Sequence, residues 1–173
     1  MGLIPALAIS IGALGAIATY LFLGPLGGLG LSLWAAFIAW ATFFHCGGKE
    51  AGLQKTITHN IFGAILAWIA LLLITQIPLA NSIGLPLWAA ICVGVTIVVL
   101  VMAASNIALS DIPASVYGYA STVAYALTNP DKHLATVTSA SLDNPLINIV
   151  ISMAIGAIFA YISEKVAGAL AKS

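Results

Sequence analysis

The sequence contains no arginine and has little charge of either sign. Five lysines and five acidic residues make up 6% of its 173 residues, whereas 62% are hydrophobic. In a soluble domain about a quarter of the residues are charged. So small a charged fraction cannot cover a water-facing surface, which excludes an ordinary soluble domain and predicts a protein embedded in the lipid bilayer. The formal net charge is zero, which gives no reason to expect a nucleic-acid partner.

The lack of arginine also narrows the solutes that such a protein could handle. A guanidinium group binds phosphates and carboxylates through two parallel hydrogen bonds. Without that group, a dedicated phosphate or dicarboxylate transporter is disfavoured.

A second absence lies in the middle of the long apolar segments, where no lysine, aspartate or glutamate occurs. Ion-coupled pumps and exchangers usually carry an ionisable side chain near the bilayer midplane. Its absence favours passive conduction, or no conduction, over proton coupling.

Cysteine and histidine are also too few to predict a metal site or an enzyme. Cys46 lies at one predicted membrane surface and Cys92 inside a later span, so a disulfide between them is not expected. His45, Cys46 and His59 are possible ligands, but their spacing matches no zinc pattern. Adjacent residues on a helix point about 100° apart, so His45 and Cys46 do not form a convincing catalytic pair. We expect no metal, no cofactor and no enzymatic activity.

The apolar segments have the length and spacing of transmembrane helices, each of which needs about 20 mostly apolar residues. Turn signals such as Gly24-Pro25-Leu26-Gly27-Gly28 separate them. We therefore predict an all-α, polytopic membrane protein that forms one integral-membrane domain. The fifth segment is the shortest and most polar. If it enters and leaves the membrane on the same side, the chain has five spans rather than six. The six predicted spans cover about 3–23, 29–46, 58–77, 84–104, 112–127 and 145–162.

One polar stretch, His45–Asn60, interrupts a chain that has no charged side chain before it. With six spans, this stretch, both termini and four of the five lysines fall on one side of the membrane, and only Lys132 falls on the other. Lysine concentrates on the cytoplasmic side of membrane proteins. The pattern thus predicts cytoplasmic N- and C-termini and a cytoplasmic His45–Asn60 stretch.

An internal repeat is suggested by two similar helix starts. Residues 30–36 read Gly-Leu-Ser-Leu-Trp-Ala-Ala and residues 84–90 read Gly-Leu-Pro-Leu-Trp-Ala-Ala. Further along, Ile61-Phe62-Gly63 aligns with Val116-Tyr117-Gly118. Duplicated halves are common in transporters, so we predict that spans two and three recur as spans four and five in the same orientation. Chance matching of common apolar residues is the alternative.

The fifth span carries a stripe of polar and small side chains with helical spacing, which places them on one face. As a pore lining, such hydroxyls would replace water around a small polar solute; as helix packing, they would hold neighbouring spans together. Both interpretations stay open. The pore-lining candidates are Ser115, Tyr119, Thr122 and Tyr125, with Asn148 on the sixth span, for which interhelical hydrogen bonding is the favoured role.

The polar stretch and its counterpart in the repeat, at about residues 100–115, together predict a cytoplasmic mouth in which histidines titrate near neutral pH. An ordinary interfacial loop is the alternative. Asp111-Ile112-Pro113 is typical of a helix start, with the carboxylate near the positive end of the helix dipole. The mouth candidates are His45, Cys46, His59, Asn60 and Asn106.

The stretch Phe44-His45-Cys46-Gly47-Gly48, next to the repeated Leu-Trp-Ala-Ala helix starts, resembles the small bacterial inner-membrane proteins of the YcdZ type. That family is an uncharacterised domain of unknown function. The resemblance implies a multi-pass protein of the bacterial inner membrane and transfers no functional residue. In size and span count the chain is also similar to six-span urea and amide channels, an analogy of architecture that does not fix function.

These observations lead to two hypotheses. The first is a passive channel or facilitator for a small neutral or weakly charged solute, such as urea, a short amide, ammonia or a short monocarboxylate. We expect it to form a homo-oligomer, because so small a bundle has little interior of its own. The second is a structural or accessory membrane subunit without a pore.

Overall fold

The computed structural model describes residues 1–172, and all regular structure in that range is helical. This confirms the predicted all-α class. Eight α-helices follow one another along the chain, two of them short, and two single 3₁₀ turns lie in the connections. The α-helices are α1 (Leu3–Leu23), α2 (Leu33–His45), α3 (Lys49–Gln76), α4 (Ala80–Ile83), α5 (Leu85–Ala103), α6 (Ile112–Thr128), α7 (Pro130–Ala135) and α8 (Pro145–Lys172).

Three of the predicted segments agree with helices to within one residue at each end, namely those of α1, α5 and α6. The α2 helix begins later than expected, at Leu33, because the chain first forms a 3₁₀ turn over Gly27–Leu29. Gly30 then adopts a φ of 65°, a left-handed conformation that suits glycine because it has no Cβ.

The two largest differences concern polar helix ends that extend past the apolar sequence. Helix α3 begins at Lys49 rather than near residue 58, and α8 continues to Lys172 rather than ending near 162. The polar stretch is therefore mostly the first three turns of α3, and its non-helical part is Cys46–Gly48. A helix satisfies its own backbone hydrogen bonds whether lipid or water surrounds it. A run of apolar residues therefore marks only the part of the helix that lies in lipid, and the helix itself can extend beyond that run.

Four helices are long and apolar enough to cross a membrane: Leu3–Leu23, Lys49–Gln76, Leu85–Ala103 and Pro145–Ala171. The apolar helix α2 has 13 residues and α6 has 17. At 1.5 Å per residue they extend about 20 and 26 Å, against about 30 Å of hydrocarbon. The structure therefore supports a multi-pass membrane protein.

The closest helix contact in the core is the crossing of α3 and α6, and it depends on glycine from both helices. A Cβ on Gly63 would overlap the backbone of Ser115 and Tyr119, and a Cβ on Gly118 would overlap the backbone of Asn60. Helices without side chains at the contact can approach this closely. Gly156 of α8 lies against the Ala36 backbone of α2 in the same way, so α2, α3, α6 and α8 form the centre of the bundle.

The two ends of the bundle differ in their charged groups. At one end the Lys165 ammonium lies 2.7 Å from the Glu50 carboxylate, and the N-terminal amine lies 3.5 Å from the Leu170 carbonyl. We call this the His45 end, because the α2–α3 connection lies there. At the opposite end Lys132 lies 2.7 Å from Asp143. The N-terminal amine, the last turn of α8 and the α2–α3 connection thus lie at the same end of the bundle.

The crossing leads to a first prediction, on stability. Gly118→Ala should lower the free energy of unfolding by about 1–3 kcal/mol, because the added methyl group overpacks the contact with α3. Gly94→Ala is the matched control, since a Cβ at Gly94 meets no atom within 4 Å. It should leave stability unchanged or raise it by less than about 1 kcal/mol. Reversible unfolding in mixed detergent micelles measures both variants, and equal effects would contradict the packing role of Gly118.

Candidate functional site

A cluster of polar side chains at the His45 end is centred on Asp111, the residue that precedes α6. Its Oδ1 accepts a hydrogen bond from the Ala114 N–H at 3.1 Å and so caps the helix. The same oxygen lies 3.3 Å from His45 Nε2. The Cys46 thiol donates to Oδ2 at 3.6 Å. One carboxylate thus joins the end of α2 to the start of α6.

His59 of α3 is the fourth member of this cluster, and its hydrogen bonds fix its tautomer. Its Nε2 accepts the backbone N–H of Asp111 at 3.0 Å. Nδ1 must then carry the proton, which it donates to the Lys55 carbonyl 2.8 Å away. With 1% of its surface exposed, His59 is buried with both ring nitrogens bonded to backbone groups.

The pKa values of Cys46 and Asp111 follow from their surroundings. Burial raises the pKa of the Cys46 thiol, and the nearby Asp111 charge raises it further, although Thr56 works in the opposite direction. Burial also acts to raise the pKa of Asp111, but the Ala114 N–H and the charge of His45 outweigh it, and the pKa is lowered. Cys46 is therefore a protonated thiol rather than a nucleophile, and Asp111 is a carboxylate.

Below the cluster, two buried polar side chains of α3 have no hydrogen-bond partner among residues 1–172. They are Thr56, through its hydroxyl, and Asn60, through both amide atoms. The residues are one turn apart on the same face, and Asn60 is 3% exposed. Thr56 lies near the Cys46 thiol without forming a hydrogen bond of ordinary geometry. Polar groups therefore continue from the end of the bundle into its interior.

Asn60 borders a crevice between α3 and α8. The space open to the centre of a water molecule there is about 10 Å³, which corresponds to about one water. The other residues that line it are apolar: Ile57, Ile61, Val150, Met153 and Ala154.

The predicted stripe on α6 lies inside the bundle, where its hydroxyls bond to other protein groups. The Tyr119 hydroxyl is 2.9 Å from the Thr96 hydroxyl of α5. Thr122 donates to the Gly118 carbonyl at 3.0 Å, and Ser115 donates to the Asp111 carbonyl at 3.3 Å.

At the far end of that stripe, the Tyr125 ring stacks on His133 of α7 with 4.0 Å between ring centroids. Tyr119 and Tyr125 thus join α6 to α5 and α7, whereas the Ser115 and Thr122 hydroxyls bond to the backbone of their own segment one turn earlier.

Asn148, the remaining pore-lining candidate, lies at the opposite end and has a full set of partners. Its Oδ1 accepts from the Ser32 hydroxyl at 2.9 Å and from the Ser152 hydroxyl at 3.4 Å. Its Nδ2 donates to the carbonyls of Gly30 and Leu142, each at 2.9 Å. Asn148 thus ties the start of α2 and the loop before α8 to α8 itself.

The predicted mouth residues separate into two groups. His45, Cys46, His59 and Asn60 lie in or just below the cluster, whereas the exposed Asn106 caps a short turn by accepting the Ala108 N–H at 3.0 Å. Beside them is an open depression in which the space open to the centre of a water molecule is about 290 Å³, lined by Gln54, Lys55, Thr58, His59, Ile107 and Ala108. Within residues 1–172 no group of three or more His, Cys, Asp or Glu is placed to hold a metal ion.

Sequence reasoning did not name two members of this site. Thr56 was not singled out, and for Asp111 the role of a helix start, which it does fill, was favoured over contact with a solute. The predicted repeat did place residues 100–115, with Asp111 among them, opposite the stretch His45–Asn60.

A family model described as a protein of unknown function, DUF1097, matches residues 8–168. The chain belongs to this family. The match includes the whole polar cluster and reaches from α1 to α8. It agrees with the expected uncharacterised family, while the closer resemblance to the YcdZ type stays a prediction. No curated protein and no solved structure matches the chain.

The contrast between the two asparagines leads to a second prediction. Asn148→Leu should lower the free energy of unfolding by about 2–4 kcal/mol, because it removes four hydrogen bonds worth roughly 0.5–1 kcal/mol each. Asn60→Leu should change it by less than about 1 kcal/mol or raise it, since no protein partner is lost. Both are measured by reversible unfolding in mixed micelles. A larger loss for Asn60→Leu than for Asn148→Leu would contradict this assignment.

The lowered pKa of Asp111 leads to a third prediction, on acid stability. A carboxyl group whose pKa is lower in the folded state than in the unfolded state stabilises the fold above its unfolded pKa, about 3.9 for aspartate. That stabilisation is lost as the pH falls below this value through the folded pKa. Asp111→Asn keeps a capping oxygen without the charge, so its stability should fall less between about pH 4 and pH 2.

The matched control for Asp111→Asn is Asp131→Asn, at the opposite end of the bundle, which should keep the wild-type acid profile. Unfolding curves recorded across the same pH range test both variants. Identical acid profiles for Asp111→Asn and the wild type would show that the carboxylate charge contributes nothing.

Proposed function

We propose that the chain is a six-span protein of the bacterial inner membrane, with the His45 end in the cytoplasm. The six long helices alternate in direction between the two ends of the bundle, so α2 and α6 cross it as the other four do. All ten charged side chains belong to the connections or to the outer three turns of a helix, which leaves the middle of the bundle uncharged, as a spanning bundle requires.

The internal duplication is part of this proposal, and pairs of equivalent residues support it. Gly30 and Gly84 both have positive φ, 65° and 87°. The Thr42 and Thr96 hydroxyls, 54 positions apart, each donate to the carbonyl four residues earlier.

The crossing of α3 and α6 supports the duplication as well. Gly63 contacts Ser115, and Gly118 contacts Asn60. Within each of the pairs Asn60–Ser115 and Gly63–Gly118, the two residues are 55 positions apart. Each helix thus contributes its glycine to one contact and the equivalent of Asn60 or Ser115 to the other. Such a symmetric crossing is expected of two parallel copies of one unit.

The function that the site supports best is passive conduction of a small neutral or weakly charged solute through the membrane. The observation that carries this proposal is Asn60, whose amide is buried without a partner beneath the polar cluster. A buried amide without hydrogen bonds costs about 1–3 kcal/mol. A passing solute could form hydrogen bonds with this amide and offset that cost, whereas helix packing leaves the amide without a partner.

A structural or accessory subunit is the second candidate, and the hydroxyl stripe of α6 favours it. The Tyr119 hydroxyl bonds to Thr96 of α5 and the Tyr125 ring stacks on His133 of α7, as helix packing requires. Only 17% of the apolar segment of helix α5 is buried inside the bundle, compared with 44% of that of α3. The exposed face of α5 is available to another subunit, in accord with the homo-oligomer that we propose in either case.

The fourth prediction tests conduction directly. Purified protein in proteoliposomes should speed swelling in at least one isosmotic solute among urea, acetamide, ammonium acetate and formate, compared with protein-free liposomes of the same lipid. Light scattering in a stopped-flow instrument measures the rates. If wild-type protein leaves these solutes and water itself at the lipid background, the facilitator proposal is wrong and the accessory subunit becomes the better account.

A further inference from the structure

The crevice at Asn60 lies deep in the bundle. Asn60 is eleven residues past Lys49, the first residue of α3, which is about 16 Å along the helix axis. Its amide is the polar group among the residues lining the crevice, and the others belong to two packed faces, Ile57 and Ile61 of α3 and Met153 of α8 among them. Asn60 is therefore the side chain that offers hydrogen bonds to a molecule in this crevice.

The hydrogen-bonding capacity of Asn60 sets the chemistry of that molecule. The side chain offers an acceptor oxygen and a donor NH₂ group, and neither has a partner within residues 1–172. The matched residue Asn148 uses the same two groups in four bonds to the protein. Asn60 thus has full capacity left for a ligand that both donates and accepts.

Charge and size narrow the ligand further. No charged side chain lines the crevice, and an unpaired ion in an apolar site loses most of its hydration energy, so the ligand is neutral. The space open to a water centre, about 10 Å³, corresponds to one water-sized molecule. Urea and acetamide each have four heavy atoms and exceed it.

We propose that Asn60 and the α3–α8 crevice bind one water-sized neutral molecule that both donates and accepts hydrogen bonds, either water or ammonia. This site rests on the proposed facilitator function and makes it selective by size. Thr56 is the preceding contact, one helical turn or about 6 Å nearer the Asp111 cluster. Its free hydroxyl receives the molecule between the Cys46 thiol and Asn60.

The test compares three permeants in proteoliposomes of the full chain. Osmotic shrinkage reports water, the rise in interior pH after an ammonium chloride jump reports ammonia, and swelling reports urea. Wild-type protein should raise water or ammonia permeability several-fold above protein-free liposomes and leave urea at background. The water and ammonia arms also decide which of the two molecules the site passes.

Three variants connect that permeability to the site. Asn60→Leu removes both polar groups at similar volume and should return the wild-type permeant to background. Ala154→Leu keeps Asn60 but fills the crevice, and it should have the same effect. Ser121→Ala is the matched control, because Ser121 is also buried without a partner but does not line the crevice; its permeability should equal that of wild type.

Each outcome bears on a different claim. If urea passes as fast as ammonia, or if Asn60→Leu and Ala154→Leu conduct like wild type, the site at Asn60 is wrong while the facilitator function stands. If wild type leaves all three permeants at background, the site is wrong; the facilitator function fails as well only if acetamide and formate also stay at background. Should Asn60→Leu not fold, Ala154→Leu alone decides between these outcomes.

Discussion

The close approach of α3 and α6 is the contact on which the rest of the structure depends. Gly63 and Gly118 each lie against the backbone of the other helix, so the two axes meet with no side chain between them. Attraction between helices in a membrane comes from packing rather than from the hydrophobic effect, because lipid is as apolar as leucine. A contact of backbone on backbone gives the most dispersion energy that two helices can gain there.

That crossing also places the polar cluster. Asp111 precedes Gly118 by two turns of α6, and His59 precedes Gly63 by one turn of α3. Fixing the two glycines against each other brings the Asp111 N–H to His59 Nε2 at 3.0 Å. The geometry at the His45 end thus follows from packing in the middle of the bundle, and the hydrogen bonds fix the details.

Most of the helices could be predicted from the sequence, because the need for about 20 apolar residues per span is a strong constraint. The start of α3 could not, since Lys49 and Glu50 have no apolar signal, and the partners of Glu50, Lys165 and Tyr161, lie on α8 more than a hundred residues away. The site was predicted in part. His45, Cys46 and His59 were marked by their chemistry, but their common partner Asp111 lies more than fifty residues away, and only the crossing of α3 and α6 joins them.

The polar groups in and below the cluster bear on the solute that the proposed facilitator would pass. His59 bonds to backbone groups through both ring nitrogens, and burial raises the pKa of the Cys46 thiol. The Asp111 carboxylate lies at a helix start, where the dipole is positive, and 3.3 Å from His45. In the buried region beneath this cluster, Thr56 and Asn60 offer only neutral hydrogen-bonding groups. An ion would lose its hydration there without gaining a counter-charge, whereas a small neutral molecule exchanges one set of hydrogen bonds for another.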